Sequence, residues 1–340
     1  MVWSTLESFM TFFAKIAATG AYLPEKVLTN FDLEQLVDTN DMWIRERTGI
    51  HTRHIAAPSE SSSSLGIQAA IRTLDVAGVD GEEIDLVLVG TCTPDGMFPS
   101  VASRIQNAVG AVNAGAFDVN AACTGYLSAL STATQFIENG SAKKVLVVGA
   151  ETLSRIVDWS DRTTCVLFGD GAGATLLEAS SKKDFGSIRS YVLRSDGGQA
   201  DALFAGGPGA PTEHPLTKEA HIMMDGRAVF RAAVEEMSKA SLTAIHNAGL
   251  SIDDIDLLVP HQANERIIRA LARNLNFSMD KVFMNVEKYG NTSSATIPIA
   301  LHEANTEGLI KPGDYVLMTV IGGGLAWGAM VVQWSDYCAS

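Results

Sequence analysis

The run Ala77-Gly78-Val79-Asp80-Gly81-Glu82-Glu83-Ile84-Asp85-Leu86 returns 171 positions later as Ala248-Gly249-Leu250-Ser251-Ile252-Asp253-Asp254-Ile255-Asp256-Leu257. The apolar run Val145-Leu146-Val147-Val148 meets Val316-Leu317-Met318-Thr319 at the same offset. A spacing kept at both ends of such a span marks a duplicated unit of about half the chain. Between these anchors Phe117-Asp118-Val119-Asn120 faces Met284-Asn285-Val286-Glu287, with a small gap difference. Continuous apolar runs over 84–90 and 144–148 read as parallel strands buried on both faces. Helical patterns stand between them. The duplication therefore predicts an α/β protein whose two halves pack around a pseudo-twofold axis, with a site where strand ends of both halves meet.

The remaining elements fit this frame. A first strand is expected over 14–19, followed by a short helix capped by Asn30. The serine run at 59–64 reads as a loop and cap before a helix over 65–77. Further helices are expected over 99–109 and 225–248, and a strand over 116–119. The glycine spacing of Gly169-Asp170-Gly171-Ala172-Gly173 announces close backbone packing in a strand, and 197–209 reads as an exposed excursion. The chain divides into an extension over 1–13, one half over 14–180 and a second over 181–340. Met10 is an alternative start, and the opening residues lack a basic region and carry Glu7, which is unlike a signal peptide.

Charge and cysteine usage exclude several classes. A net charge of −14 argues against general nucleic-acid binding. No apolar run reaches the roughly 18 residues of a membrane span. Cys92, Cys123, Cys165 and Cys338 are too scattered for a disulfide framework and lack metal-ligand spacing. They fit a reducing cytoplasm.

Cys123 stands where the strand pattern ends in small residues, Ala121, Ala122 and Gly125, and a helical pattern begins. A thiol at a helix N-terminus is expected to have its pKa lowered from about 8.5 toward neutrality. Taken alone, the residue reads more readily as a small buried apolar side chain. Two later stretches change that. Leu257-Leu258-Val259-Pro260-His261 is a strand running into a histidine at the head of a helix. Tyr289-Gly290-Asn291-Thr292-Ser293 falls at the repeat's counterpart of the cysteine junction. Cys123, His261 and Asn291 are thus expected just past the ends of buried strands, converging on one site.

These motifs, with Trp43-Ile44, Arg47-Thr48-Gly49-Ile50, Phe168-Gly169-Asp170-Gly171 and Gly322-Gly323-Gly324, resemble the thiolase-like condensing enzymes. The resemblance is closest to β-ketoacyl–acyl-carrier-protein synthase III and covers nearly the whole chain after residue 14. It implies a thiolase-like fold layered α-β-α-β-α. It implies a decarboxylative Claisen condensation of a short acyl-CoA, acetyl-CoA first among them, with malonyl-acyl carrier protein, initiating fatty acid synthesis. By this resemblance Cys123 would take the acyl group, a role suited to a thiolate. His261 and Asn291 would hold the malonyl thioester oxygen, and backbone amides at Cys123 and Gly323 would form the oxyanion hole. No metal or redox cofactor is expected. Trp43 and Arg162 would flank the adenine of CoA, with Thr39 and Arg47 near its nucleotide and phosphate.

On the helix after His261, Arg266, Arg269 and Arg273 share a face. With Arg231 they would dock the acidic carrier protein, Arg266 matching the family's docking arginine. Phe98 matches a position that reaches the neighbouring subunit's acyl pocket, which implies a homodimer. Met42, Arg227 and Ala326 depart from the family's usual residues. The competing readings are a condensing enzyme of secondary metabolism using longer or aromatic acyl groups, and a non-catalytic carrier-binding subunit. The intact cysteine argues against the second.

Overall fold

The computed structural model describes residues 12–181, 186–207 and 221–335. Most of the expected N-terminal extension, Met10, Cys338 and the end of the glycine-rich excursion lie outside those residues.

Two sheets organise the chain. The first has five strands: β1 (Phe13–Tyr22), β4 (Leu86–Gly90), β5 (Gly115–Val119), β6 (Lys144–Thr152) and β7 (Asp170–Ser180), in the order β1-β7-β6-β4-β5. Between β1 and β4 in sequence lies a separate hairpin, β2 (Lys26–Thr29) with β3 (Thr52–Ile55). The second sheet has four strands: β8 (Ile188–Ser195), β11 (Leu257–Pro260), β12 (Tyr315–Gly322) and β13 (Ala326–Gln333), in the order β11-β12-β13-β8. A small ribbon joins β9 (Leu203–Ala205) to β10 (Ile222–Met224).

The two sheets repeat one another. In each, one pair of neighbours runs parallel and the next runs antiparallel: β4 with β6 and β11 with β12 are parallel, while β6 with β7 and β12 with β13 are antiparallel. Short turns recur at the 171-residue offset, Gly81–Glu83 with Ile252–Asp254 and Ala122–Thr124 with Ser293–Ala295.

Alternation along each strand builds the layers. Leu86 and Leu88 enter the central core while Val87 and Val89 face the outer one. Val145 and Val147 likewise alternate with Leu146 and Val148. The central core holds the helices Gly125–Glu138 and Thr296–Thr306, packed between the sheets through Leu127, Leu130, Ile297 and Leu301. The helix Ser62–Ala77 covers the outer face of the first sheet, and Gly226–Asn247 with Glu265–Asn274 covers that of the second. This is the thiolase-like α-β-α-β-α arrangement. No helix among the described residues is long and apolar enough to cross a membrane.

Four local expectations need correction. Thr29, not Asn30, caps the short helix Asn30–Leu33, because the Asn30 amide is buried and donates to Asp41 and the Ile50 carbonyl. The serine run enters the helix, which starts at Ser62 with Ser61 as its cap. His261 does not head a helix: the helix begins four residues later at Glu265, capped by Asn264. The segment 284–287 is not a strand. Val286–Tyr289 is a short helix, and the fifth position of the second sheet is reduced to one bridge between Leu258 and Val282. There the buried Gln262 side chain donates to the Pro260 and Phe283 carbonyls and accepts from the Asn285 amide.

Candidate active site

Cys123 sits in the turn Ala122–Thr124 between β5 and the helix Gly125–Glu138. Ala122 has φ +46°, a left-handed conformation that costs a residue with a β-carbon and turns the chain sharply just before Cys123. Across from it β12 ends at Gly322. A β-carbon on Gly322 would fall 2.8 Å from the Cys123 amide nitrogen and β-carbon, so only glycine permits this approach. The backbone amides of Cys123 and Gly323 both act to favour the Cys123 thiolate.

His261 follows β11, its amide donating to Thr319 on β12 at 2.8 Å. Its Nδ1 lies 2.6 Å from Thr296 Oγ1. Asn291 does not follow a strand. It forms an isolated bridge with Phe168, its amide donating to Leu167 O at 2.8 Å and its carbonyl accepting from Gly169 at 3.0 Å. Its Oδ1 accepts from the Ser293 amide at 2.8 Å. The wholly buried Arg53 steadies this segment by donating to Val166 O at 2.6 Å. The exact offset from Cys123 falls on Ser294, three residues beyond Asn291.

The three side chains line one cavity of about 270 Å³, together with Phe168, Leu203, Met224 and Ile321. Trp43, Arg47 and Arg266 also line it. Arg47 lies 4.5 Å and Arg162 5.4 Å from the Trp43 ring centroid, and Arg162 is held by Asp38. Thr39 is not part of the lining, and its hydroxyl is buried without a partner. Phe98 is 84% exposed and does not line the cavity of its own chain.

A wider groove between the helices Gly226–Asn247 and Glu265–Asn274 gathers Arg47, Arg227, Arg231, Arg266 and Arg273 over Phe230 and Val234. Arg269 stands apart from it, paired with Glu265 at 2.6 Å. Helical geometry explains the difference: positions 266, 270, 273 and 274 form one face, and 269 turns off it.

The electrostatics correct one expectation. Burial raises the Cys123 thiol to about 11, outweighing the donors that favour its thiolate. Burial also lowers His261 to about 3. The resting pair is therefore neutral thiol and neutral imidazole. Because the folded pKa of His261 is depressed, the unfolded chain binds the proton first as pH falls. Stability is expected to drop by up to ~1.4 kcal/mol per pH unit from this residue alone, between its ordinary value of 6.5 and about 3. The His261 ring resonance should stay untitrated from about pH 5 to 8, where an exposed histidine changes charge. A midpoint near 6.5 in NMR spectra would contradict this.

Sequence reasoning missed Glu151. It is wholly buried behind the cavity and accepts from Thr93 Oγ1 at 2.5 Å, Ser294 Oγ at 2.8 Å and the Cys92 amide at 3.1 Å. Burial pushes its carboxyl above the usual range. It ties the end of the first sheet to the second half's turn, and no local pattern in the sequence announces that.

A cysteine-bearing turn from one half and two polar side chains from the other share one cavity in a thiolase-like fold. The family descriptions 3-oxoacyl-[acyl-carrier-protein (ACP)] synthase III and its C-terminal counterpart match residues 117–197 and 245–334. The β-ketoacyl-[acyl-carrier-protein] synthase III of Caldanaerobacter subterraneus subsp. tengcongensis is 48% identical over 326 residues, covering 95% of this chain and 98% of the relative. The chain belongs to the 3-oxoacyl-[acyl-carrier-protein] synthase III family, and it is an acyltransferase of that type. The crystal structure of the Aquifex aeolicus VF5 synthase III superposes with a TM-score of 0.89 at 47% identity, covering 94% of this chain and all of that one (100%). The priming β-ketosynthase of the R1128 polyketide pathway superposes at 0.90 with 36% identity, covering 96% of this chain and 97% of that one.

Proposed function

We propose that Cys123 is the nucleophile, and His261 with Asn291 the thioester-oxygen donors, of a decarboxylative Claisen condensation. A short acyl-CoA and malonyl-acyl carrier protein give 3-oxoacyl-acyl carrier protein, CoA and CO₂, the initiating step of fatty acid synthesis. The convergence of these three side chains on one cavity carries the reading.

The Cys123 sulfur attacks the acyl-CoA carbonyl, and its proton leaves with the CoA thiolate. Because the thiol is neutral at rest, proton removal and attack are coupled, with His261 as the nearby base. The Cys123 and Gly323 amides hold the tetrahedral oxyanion. After CoA departs, the malonyl thioester enters. Loss of CO₂ leaves its electron pair as an enolate, so no base has to remove a proton from carbon. An imidazole N–H and the Asn291 amide stabilise the enolate oxygen. The enolate carbon attacks the acyl-enzyme, and the released sulfur takes up one proton. No metal or redox cofactor enters these steps.

Trp43 with Arg47 and Arg162 forms the nucleotide contact at the cavity mouth, with Thr39 nearby. An aromatic plane with guanidiniums suits a flat base and phosphates. Arg231, Arg266 and Arg273 along the groove offer an acidic carrier protein a cationic dock on an otherwise acidic chain. Arg269 contributes less, being neutralised by Glu265. Arg266→Ala is expected to weaken use of malonyl carrier protein about tenfold while acyl-CoA loading stays nearly intact. Equal loss in both half-reactions would refute the docking role.

The protein acts as a cytoplasmic homodimer in this reading. β5 is an edge strand with Phe117 41% exposed, and Met97 and Phe98 project nearby in sequence. An unpaired apolar edge invites a second copy. Phe98 would then cap the partner's acyl pocket and limit the primer to short chains. Sedimentation equilibrium reading a single-chain mass would remove the dimer. Intact mass after exposure to a panel of acyl-CoAs tests the primer: acetyl-CoA should load, and loading by octanoyl-CoA alone would favour the secondary-metabolism reading.

A further inference from the structure

Arg53 is a wholly buried cation that no step above uses. Burial lowers its pKa from 12.5 only to about 10, so it keeps its charge at neutral pH. Among the described residues no carboxylate pairs with it, and its Nε has no partner. Taking a guanidinium out of water without a counter-ion is costly, so its place calls for a reason. Three oxygens of neutral groups hold it: Asn30 Oδ1 at 2.9 Å, Val166 O at 2.6 Å and Leu28 O at 3.4 Å.

Two of these contacts lead to different parts of the cavity lining. The first runs through Asn30, also buried, whose amide is fully used. Its Oδ1 accepts from Arg53, and its Nδ2 donates to Asp41 Oδ1 at 3.0 Å and to Ile50 O at 2.8 Å. Asp41 opens the helix Asp41–Thr48, and Ile50 follows its Gly49 cap. One side chain thus holds both ends of the helix that brings Trp43 and Arg47 to the cavity.

The second contact leads to Asn291. Val166, Leu167 and Phe168 line the cavity, and Leu167 O accepts the Asn291 amide at 2.8 Å. The Arg53 stem fills the space beside this segment: a β-carbon on Gly169 would fall 3.0 Å from Arg53 Cβ, and one on Gly290 3.5 Å from it. The two residues before Arg53 extend the contact. The His51 amide donates to Glu287 O at 2.9 Å, and Thr52 Oγ1 donates to Lys288 O at 2.7 Å, on the short helix that leads to Asn291.

We propose that Arg53 is a positioning residue that sets the nucleotide-binding helix and the Asn291 segment in register, one guanidinium nitrogen serving each. The inference rests on the roles given to Trp43, Arg47 and Asn291 above. Nη1 donates to Asn30 and Nη2 to Val166 O, so the two contacts leave from different arms of a rigid planar fork. A lysine keeps the charge but offers a single nitrogen, which cannot serve both. One side chain therefore supports both half-reactions: acyl-CoA loading through the helix, and decarboxylation through Asn291.

Hydrogen exchange on the unliganded protein tests the placement without substrate. Arg53→Lys should speed amide exchange about tenfold over both 41–50 and 287–291, the effect of losing a charge-assisted bond. Asn30→Ala should do so over 41–50 alone. Trp334→Phe, which loses a buried bond to Asn305 Oδ1 outside the cavity, should move neither segment. In turnover, Arg53→Lys should raise KM for acetyl-CoA and lower kcat for malonyl carrier protein decarboxylation, each about tenfold. Asn30→Ala should raise that KM and spare that kcat. Unchanged exchange in Arg53→Lys, a change confined to one segment, or an equal change in Trp334→Phe would overturn the proposal. Should Arg53→Lys fail to fold, Asn30→Ala still decides: unchanged exchange over 41–50, or exchange rising equally over 287–291, refutes the two separate arms. Faster exchange in both segments of Arg53→Lys, where the unsubstituted protein never loads an acyl group, would uphold the placement of Arg53 and refute the condensing role instead.

Discussion

Cys123→Ala is expected to release no CoA from acyl-CoA and to form no 3-oxoacyl product. Removing a covalent nucleophile costs on the order of 10⁶ in rate, which places the variant below detection. The fold should survive, because alanine fits the small buried site and the sulfur makes no structural bridge. The same variant should still decarboxylate malonyl carrier protein, since the donors proposed for that step are His261 and Asn291, on the other half of the chain. Intact mass with acetyl-CoA, CoA release and CO₂ release separate the steps. An acyl adduct or CoA release at the unsubstituted protein's rate would move the nucleophile elsewhere.

Asn291→Ala and His261→Ala should each lower malonyl decarboxylation by about 10²–10³, the range for losing one preorganised donor at a developing oxyanion. Their effects on loading should differ. Asn291→Ala leaves the acylation machinery of Cys123, Gly323 and His261 in place, so acyl-enzyme should still accumulate. His261→Ala should slow acylation as well, because the thiol, raised to about 11 by burial, loses its nearest base. The double variant should fall short of the product of the two single losses, since the two donors share one oxygen. Full decarboxylation in Asn291→Ala would remove the amide from the mechanism.

The legible parts of the site were those with a local signature. Cys123 stood at a strand-to-helix junction, and His261 followed an apolar run. Asn291 was singled out for a partly mistaken reason. Its segment is a short helix and a bridge to Phe168 rather than a strand end, and Ser294 occupies the true counterpart of Cys123. The second half gave up its fifth strand, and the Gln262 side chain took over the backbone groups that strand would have paired. Apolar periodicity cannot register such an exchange, because a side-chain amide replaces a ladder without changing the pattern around it. Arg269 was misplaced for a similar reason: spacing puts it near the docking face, but Glu265 one turn earlier claims it.

The sequence by itself determined the layered α/β architecture. Its duplicated spacing and alternating apolar faces leave few ways to bury both halves, and those are properties of order along the chain. Only the tertiary structure decided the protonation of the site. Whether Cys123 ionises and whether His261 is charged depend on desolvation and on groups such as Gly323, contributed by segments up to 200 residues away in sequence from the thiol. Those quantities arise from distance and burial, which exist only once the two halves have closed on each other.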